Sequence, residues 1–144
     1  VTDPHNVGAI LRSAEVFGAQ AVIAPERYSA PESGGLAKSA SGALERQPYL
    51  RVKNLGDTMM DLRKMGYLIL GLDGEGEGEI EAAIAAVGDI PVALVLGGEG
   101  PGLRDRTRQL CDQLVRIPAE GAFGSLNVSN AAAVSLYAAT RKAD

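Results

Sequence analysis

The sequence predicts an α/β domain, a mostly parallel sheet with helices on both faces. Three observations carry this. Short apolar runs alternate with segments of helical period along the chain. The most apolar run, Val92-Ala93-Leu94-Val95-Leu96, is continuous rather than alternating, as expected of a strand covered on both faces. The chain has 144 residues and is 46% hydrophobic, enough for one domain with one sizeable core.

In chain order, residues 6–17 read as a helix, with Val7, Ile10, Leu11, Ala14 and Phe17 at helical spacing. Gly18 sits where a C-terminal cap belongs. Residues 21–24 form a short apolar strand ended by Pro25, and residues 32–44 a loosely specified helix rich in small residues. Residues 49–52 suggest a strand. Leu55, Met59, Leu62 and Met65 mark one face of a helix over 55–65, ended by Gly66. Residues 67–72 are an apolar strand. Residues 73–79 alternate glycine with acids and read as a solvated, hairpin-like surface loop. A short helix over 80–87 precedes the strand over 91–96. A helix over 104–111, a strand over 114–117 and a long helix over 127–142 complete the chain.

Composition narrows the class. A net charge of -4 with this apolar content excludes disorder as the main state. Cys111 is the only cysteine, which excludes a disulfide scaffold. No apolar run approaches the ~18 residues that span a bilayer, and no signal segment opens the chain; a cytoplasmic location is expected. No spacing of metal ligands is present: the faint calcium-loop pattern starting at Asp73 fails because its twelfth position is Ile84. The chain begins at Val1 without an initiator methionine, so a segment upstream is expected to be missing.

In parallel sheets ligands bind beyond the carboxyl ends of strands, which directs attention to three constellations. The first is Asp3-Pro4-His5-Asn6-Val7-Gly8, with Arg12 one turn beyond Gly8. Asn6 is read as a helix N-cap and His5 as a turn residue; a helix start with an arginine suits a phosphate, though spacing alone favours a capped helix with one solvated arginine. The second is Leu96-Gly97-Gly98-Glu99-Gly100-Pro101-Gly102-Leu103. No Lys-Ser/Thr follows its last glycine, so it is not a P-loop, and the dinucleotide spacing also fails. Glu99 would repel a pyrophosphate. A cationic ligand, or one held by main chain, fits better. The third runs from Ile117 to Ala131. Ser125, Asn127 and Ser129 are more helix-capping residues than one helix needs, so a side chain is left for a substrate. Arg104, Arg106, Arg108 and Arg116 form a local basic cluster able to touch nucleic-acid phosphate or simply to be solvated.

Together, in order and spacing, the three constellations resemble the motifs of the SpoU (TrmH) branch of the SPOUT superfamily, the RNA ribose 2′-O-methyltransferases. The resemblance covers essentially the whole chain. It departs in two places: Asn130 stands where the family commonly has an apolar residue, and Ala119 where a methionine is frequent. It implies a C-terminal deep trefoil knot, which general topology rules would not suggest. It implies a homodimer, an RNA substrate and S-adenosylmethionine as cofactor, with no metal. The branch it resembles most acts on guanosine of 23S rRNA; a tRNA substrate or a non-catalytic cofactor-binding RNA module are the alternatives. By motif position, Leu96, Gly97, Gly98, Ile117, Ala119 and Leu126 would contact the cofactor. Asn6, Arg12, Glu99, Ser125 and Asn127 would serve the chemistry. The resemblance also implies an RNA-binding domain N-terminal to this one, residues 1–144 being the methyltransferase domain.

Overall fold

The computed structural model describes residues 4–26, 42–97, 102–118 and 127–141. The chain divides into two compact units, Val1–Leu55 and Gly56–Asp144.

The first unit opens with α1 (Pro4–Val16), whose inward face is Val7, Ile10, Leu11 and Ala14. The helix begins earlier than its apolar period suggests. Proline at the first helical position supplies the right φ and lacks only an N–H that would have no intrahelical partner. Asn6 is therefore no N-cap; it lies within the first turn and is buried at 9% exposure. His5 is an exposed helical residue rather than a turn residue. The helix ends as expected at Gly18, with φ 75°. The Ala19 N–H donates to the Ala14 carbonyl (2.9 Å) and the Gly18 N–H to the Glu15 carbonyl (3.2 Å), the paired closure that a left-handed glycine permits. Strand β1 (Val22–Pro25) pairs parallel with β2 (Tyr49–Val52), Val22 opposite Tyr49. Pro25 closes β1 from inside the strand. Val22 and Tyr49 pack on Val7, Leu11 and Ala43 to make this unit's core. Ala43 belongs to the one-turn helix α2 (Ala43–Arg46). Most of the helix expected over 32–44 lies outside the described residues.

The second unit holds a four-stranded sheet, all parallel: β3 (Leu68–Leu72), β4 (Gly78–Glu79), β5 (Val92–Val95) and β6 (Gln113–Arg116), in spatial order β4-β6-β3-β5. It is preceded by α3 (Leu55–Lys64), which buries Met59 and closes at Gly66 by the same paired bonds as α1. Met65, placed by its spacing on the apolar face, lies in that closing turn and is 69% exposed. Helix α4 (Ile80–Val87) packs Ile80, Ala83 and Ile84 onto Leu70 and Val115, joined by Ala139 of α6 (Val128–Thr140). Ile69, pointing to the opposite face of β3, is fully buried as well. Thus β3 is the more fully covered of the two strands, while β5 is partly covered on both faces. The most apolar run lies at the end of the described sheet order and is half-buried throughout. Apolar content alone did not distinguish a central strand from an outer one. Helix α5 (Asp105–Leu110) connects β5 to β6.

Residues 73–79 are not the free loop their composition suggests. The chain leaves β3 at Leu72, opposite Val115, and re-enters the sheet at Gly78, on the other side of the same Val115. Residues 73–77 therefore cross β6 near its carboxyl end. The Asp73 N–H donates to the Val115 carbonyl (2.9 Å). At Gly76 a Cβ would lie 2.8 Å from the carbonyl groups of Leu114 and Val115, so only glycine passes over the strand this closely.

Candidate functional site

The sheet order builds the site. The chain runs from β3 past β6 to β4, then to β5 on the other side of β3, and returns to β6 between β4 and β3. β5 and β6 both neighbour β3, so the loops that leave them flank β3 at the carboxyl end of the sheet, the end where parallel sheets bind ligands. Leu96 and Gly97 leave β5, and Ile117 leaves β6, so these three candidate cofactor residues are brought to one end of one sheet. Ile117 packs its side chain into the core that contains Leu70 and Val115.

Gly97 is the tightest point. A Cβ there would lie 2.4 Å from the Gly102 carbonyl carbon and 2.6 Å from the Leu103 nitrogen. The two ends of the glycine-rich loop thus touch backbone to backbone. Leu103 in turn approaches Gly71 of β3, where a Cβ would meet the Cys111 Sγ at 2.7 Å and the Leu103 Cδ1 at 3.0 Å. At Gly97 itself, with no side chain, only main-chain groups are on offer. Gly98 and Glu99 lie outside the described residues, as do Ala119, Ser125 and Leu126.

Asn127 is the N-cap of α6. Its Oδ1 accepts from the Ser129 N–H (2.9 Å) and from the Ser129 Oγ (2.6 Å). Of the surplus capping residues, Asn127 and Ser129 are thus spent on the helix itself, Asn127 through its side-chain oxygen. In the other unit, Arg12 is exposed on α1 while Asn6 is buried on the helix's inward side. At 100° per residue the two lie on different faces of the helix.

Arg108 and Arg116 of the basic cluster are consumed by the fold. Arg108 pairs with Asp73 (3.3 Å). Arg116 donates to the carbonyls of Gly76 (2.7 Å) and Glu77 (2.9 Å) and lies 3.8 Å from Glu79. Arg104 and Arg106 are exposed. Sequence reasoning missed this use of Arg116 and the crossing at Gly76. The signal was the glycine–acid alternation, read as mere solvation.

Cys111 lies beneath the glycine-rich loop's return, its Sγ donating to the Thr107 carbonyl (3.3 Å). Burial pushes its thiol pKa up, and the neighbouring Asp112 adds to this, while Arg63 opposes. Asp112 is itself held: Oδ2 accepts the Ile69 N–H (2.7 Å) and Oδ1 pairs with Arg63 (2.8 Å). Among the described residues no cluster of metal-ligating side chains occurs and no helix is long and apolar enough to cross a membrane.

Comparison with known proteins agrees with this geometry. The chain is 46% identical over 142 residues to the 23S rRNA (guanosine-2′-O-)-methyltransferase RlmB of Vibrio vulnificus, covering 99% of this chain and 56% of that one. The chain thus spans little more than half the length of the curated relatives it matches. Among solved structures it resembles the SpoU methyltransferase AviRb from Streptomyces viridochromogenes, in complex with the cofactor AdoMet. There the TM-score is 0.86 and the identity 33%, over 98% of this chain and 56% of that one. It also resembles an AdoMet-bound rRNA methyltransferase from Sinorhizobium meliloti, with TM-score 0.87 and 29% identity over 98% of this chain and 53% of that one. The model of the SpoU rRNA Methylase family matches residues 1–137, so that all three glycine-bearing constellations fall within one family pattern. Matched by the family model over residues 1–137 and 46% identical to a relative over 99% of its own length, the chain belongs to the SpoU rRNA Methylase family.

Proposed function

We propose that this chain is the catalytic domain of an S-adenosylmethionine-dependent RNA methyltransferase that methylates a ribose 2′-hydroxyl, that of a guanosine in 23S rRNA. The observation that carries the reading is the backbone closure of Gly97 on Gly102, opposite Ile117, at the carboxyl end of a family-typical sheet. A side-chain-free cradle fits this cofactor: its adenosine and amino-acid ends are hydrogen-bonding groups suited to main-chain partners, and no lysine marks a phosphate site. Leu96, Gly97, Gly98, Ile117, Ala119 and Leu126 would hold it. When bound, S-adenosylmethionine supplies a sulfonium methyl for in-line transfer to oxygen. The finer fold belongs to the same proposal: residues after β6 would thread a loop to form the trefoil knot.

The chain's own residues must activate a weak nucleophile. A ribose hydroxyl needs its proton removed or its developing negative charge stabilised. Arg12 is assigned the second task, because a guanidinium does not deprotonate in proteins. It would grip the adjacent phosphate and stabilise the forming alkoxide. The proton would leave through Ser125, Glu99 or that phosphate. Asn127, its oxygen occupied by the cap, would offer its amide N–H to the ribose. A second copy of the chain is part of the reading, with Val134 and Tyr137, both exposed on α6, as apolar surface for it. A net charge of -4 provides few spare cations for phosphate, so most RNA affinity is assigned to a further N-terminal domain.

The test is Arg12→Ala. The variant should bind S-adenosylmethionine like the wild type while turnover falls about 10²–10³-fold, as for removal of one charge-stabilising donor. Full activity rejects the role. Labelling of 23S rRNA and tRNA with a radioactive methyl donor, followed by mapping, decides the substrate: label confined to tRNA overturns the rRNA assignment.

A further inference from the structure

We propose that Arg116 is a positioning residue for the donor site: by stapling the 73–77 crossing onto β6, it fixes where Ile117 and Pro118 leave the sheet. The inference rests on the reading of Ile117 as a cofactor contact.

Strand register sets the geometry. β6 is flanked at Val115 by Leu72 on one side and Gly78 on the other, so residues 73–77 must arch over the strand just before it ends. Glycine 76 lets the arch lie on the Leu114 and Val115 backbone. An arch of this kind has carbonyls that no strand neighbour satisfies. The guanidinium of Arg116, the last residue of β6, turns back and donates from Nη1 to two of them, Gly76 (2.7 Å) and Glu77 (2.9 Å). Planar guanidinium is suited to this, since it presents several N–H groups in a fixed fork. Glu79 stands 3.8 Å from Nη2, too far for a strong bond and half exposed, so the carbonyls rather than the charge hold the side chain.

The other end of the arch is tied as well. Asp73 is bonded through its N–H to Val115 and through its carboxylate to Arg108 of α5, the helix that follows the glycine-rich loop. The arch therefore connects the strand that delivers one cofactor loop with the helix that closes the other. Releasing Arg116 frees the arch at Gly76 and Glu77 and loosens the exit of β6 directly, because the next residue is Ile117.

The experiment is calorimetric titration of the full chain with S-adenosylmethionine, beside thermal melting of each variant. Arg116→Gln should weaken binding about tenfold, the lower end of what losing a supporting hydrogen-bond partner does to ligand-holding groups. Arg116→Lys should fall between Gln and wild type, since the ammonium keeps donors for both carbonyls but lacks the fixed plane of the guanidinium. Glu79→Gln should bind like the wild type. A purely structural role would lower the melting temperature and leave the affinity of the folded fraction unchanged. Wild-type affinity in Arg116→Gln, or in Arg116→Lys should the Gln variant not fold, overturns the proposal. So does an equal loss in Glu79→Gln. A wild type that binds no donor instead overturns the reading of the site on which the proposal rests.

Discussion

The helix ends and the strand ends of this molecule both depend on glycine, for opposite reasons. Gly18 and Gly66 close α1 and α3 with φ 75° and 100°, and nothing lies within 4 Å of where a side chain would begin. Gly71, Gly76 and Gly97 sit at the carboxyl ends of the strands with no such φ, and a side chain there would collide with neighbours at 3.0 Å or less. The first pair is needed for backbone conformation, the second group for space. The helix ends need only shape the local chain. The strand ends must bring backbones together, and that is what makes a ligand site of main-chain groups possible.

The sharpest way to break this contrast is Gly97→Ala. Its Cβ would press on the Gly102 backbone at 2.4 Å, and neither side can turn away as a flexible side chain would. The cost should reach about 3 kcal/mol, the upper range for forcing extra atoms into a packed region, with donor binding lost. Urea denaturation and calorimetry check both. A variant of wild-type stability and affinity would remove the cradle from the account.

Gly76→Ala sharpens the contrast within one segment. It should cost about 2 kcal/mol, as overpacking against the β6 backbone. Gly74→Ala and Gly78→Ala, with nothing within 4 Å, should stay within about 0.5 kcal/mol. Equal losses at all three positions would mean that residues 73–79 need flexibility rather than clearance.

The same contrast explains what the sequence made legible. Helix ends are set by neighbours in the chain: a glycine directly after an apolar period was enough to place the closures at Gly18 and Gly66. The three motif constellations were legible because each lies within a short stretch. The crossing over β6 was not. Gly76 meets Leu114 and Val115, residues far along the chain, and no local pattern encodes that meeting. For the same reason the glycine–acid run looked solvated, and Arg116 looked available to RNA. The centrality of β3 was missed because β5 is the more apolar run, while strand order is decided by pairing. Asn6 was misread as a cap because a proline-started helix hides its first turn from the apolar period.

On the helix side, Gly18→Ala tests conformation without crowding. An L-residue held at φ 75° costs about 1 kcal/mol. The melting temperature should fall by several degrees, roughly 4–8 °C per kcal/mol for a small domain and less for larger ones. Donor affinity should be unchanged, since the closure at Gly18 lies outside the strand-end loops. A loss of affinity with no loss of stability would contradict the division drawn between the two kinds of glycine.

The smallest effect belongs where a crowded strand glycine meets the thiol. Cys111 is pressed towards Gly71 and sits beside Asp112, so burial first and the carboxylate second favour the neutral thiol over the thiolate. The folded chain therefore holds this proton to higher pH than the unfolded chain, whose thiol titrates near ~8.5. Stability from this source is fully present below about pH 8.5 and is lost as pH rises through the folded value, because only the unfolded state then gains by ionising. Denaturation midpoints should drift downward above about pH 8.5 in the wild type and less so in Cys111→Ala. Alkylation by iodoacetamide at pH 8 should be slower in the folded chain than in urea. A Cys111→Ala protein with the same alkaline drift would assign that drift to other groups and leave the crowding at Gly71 to be tested by Gly71→Ala alone.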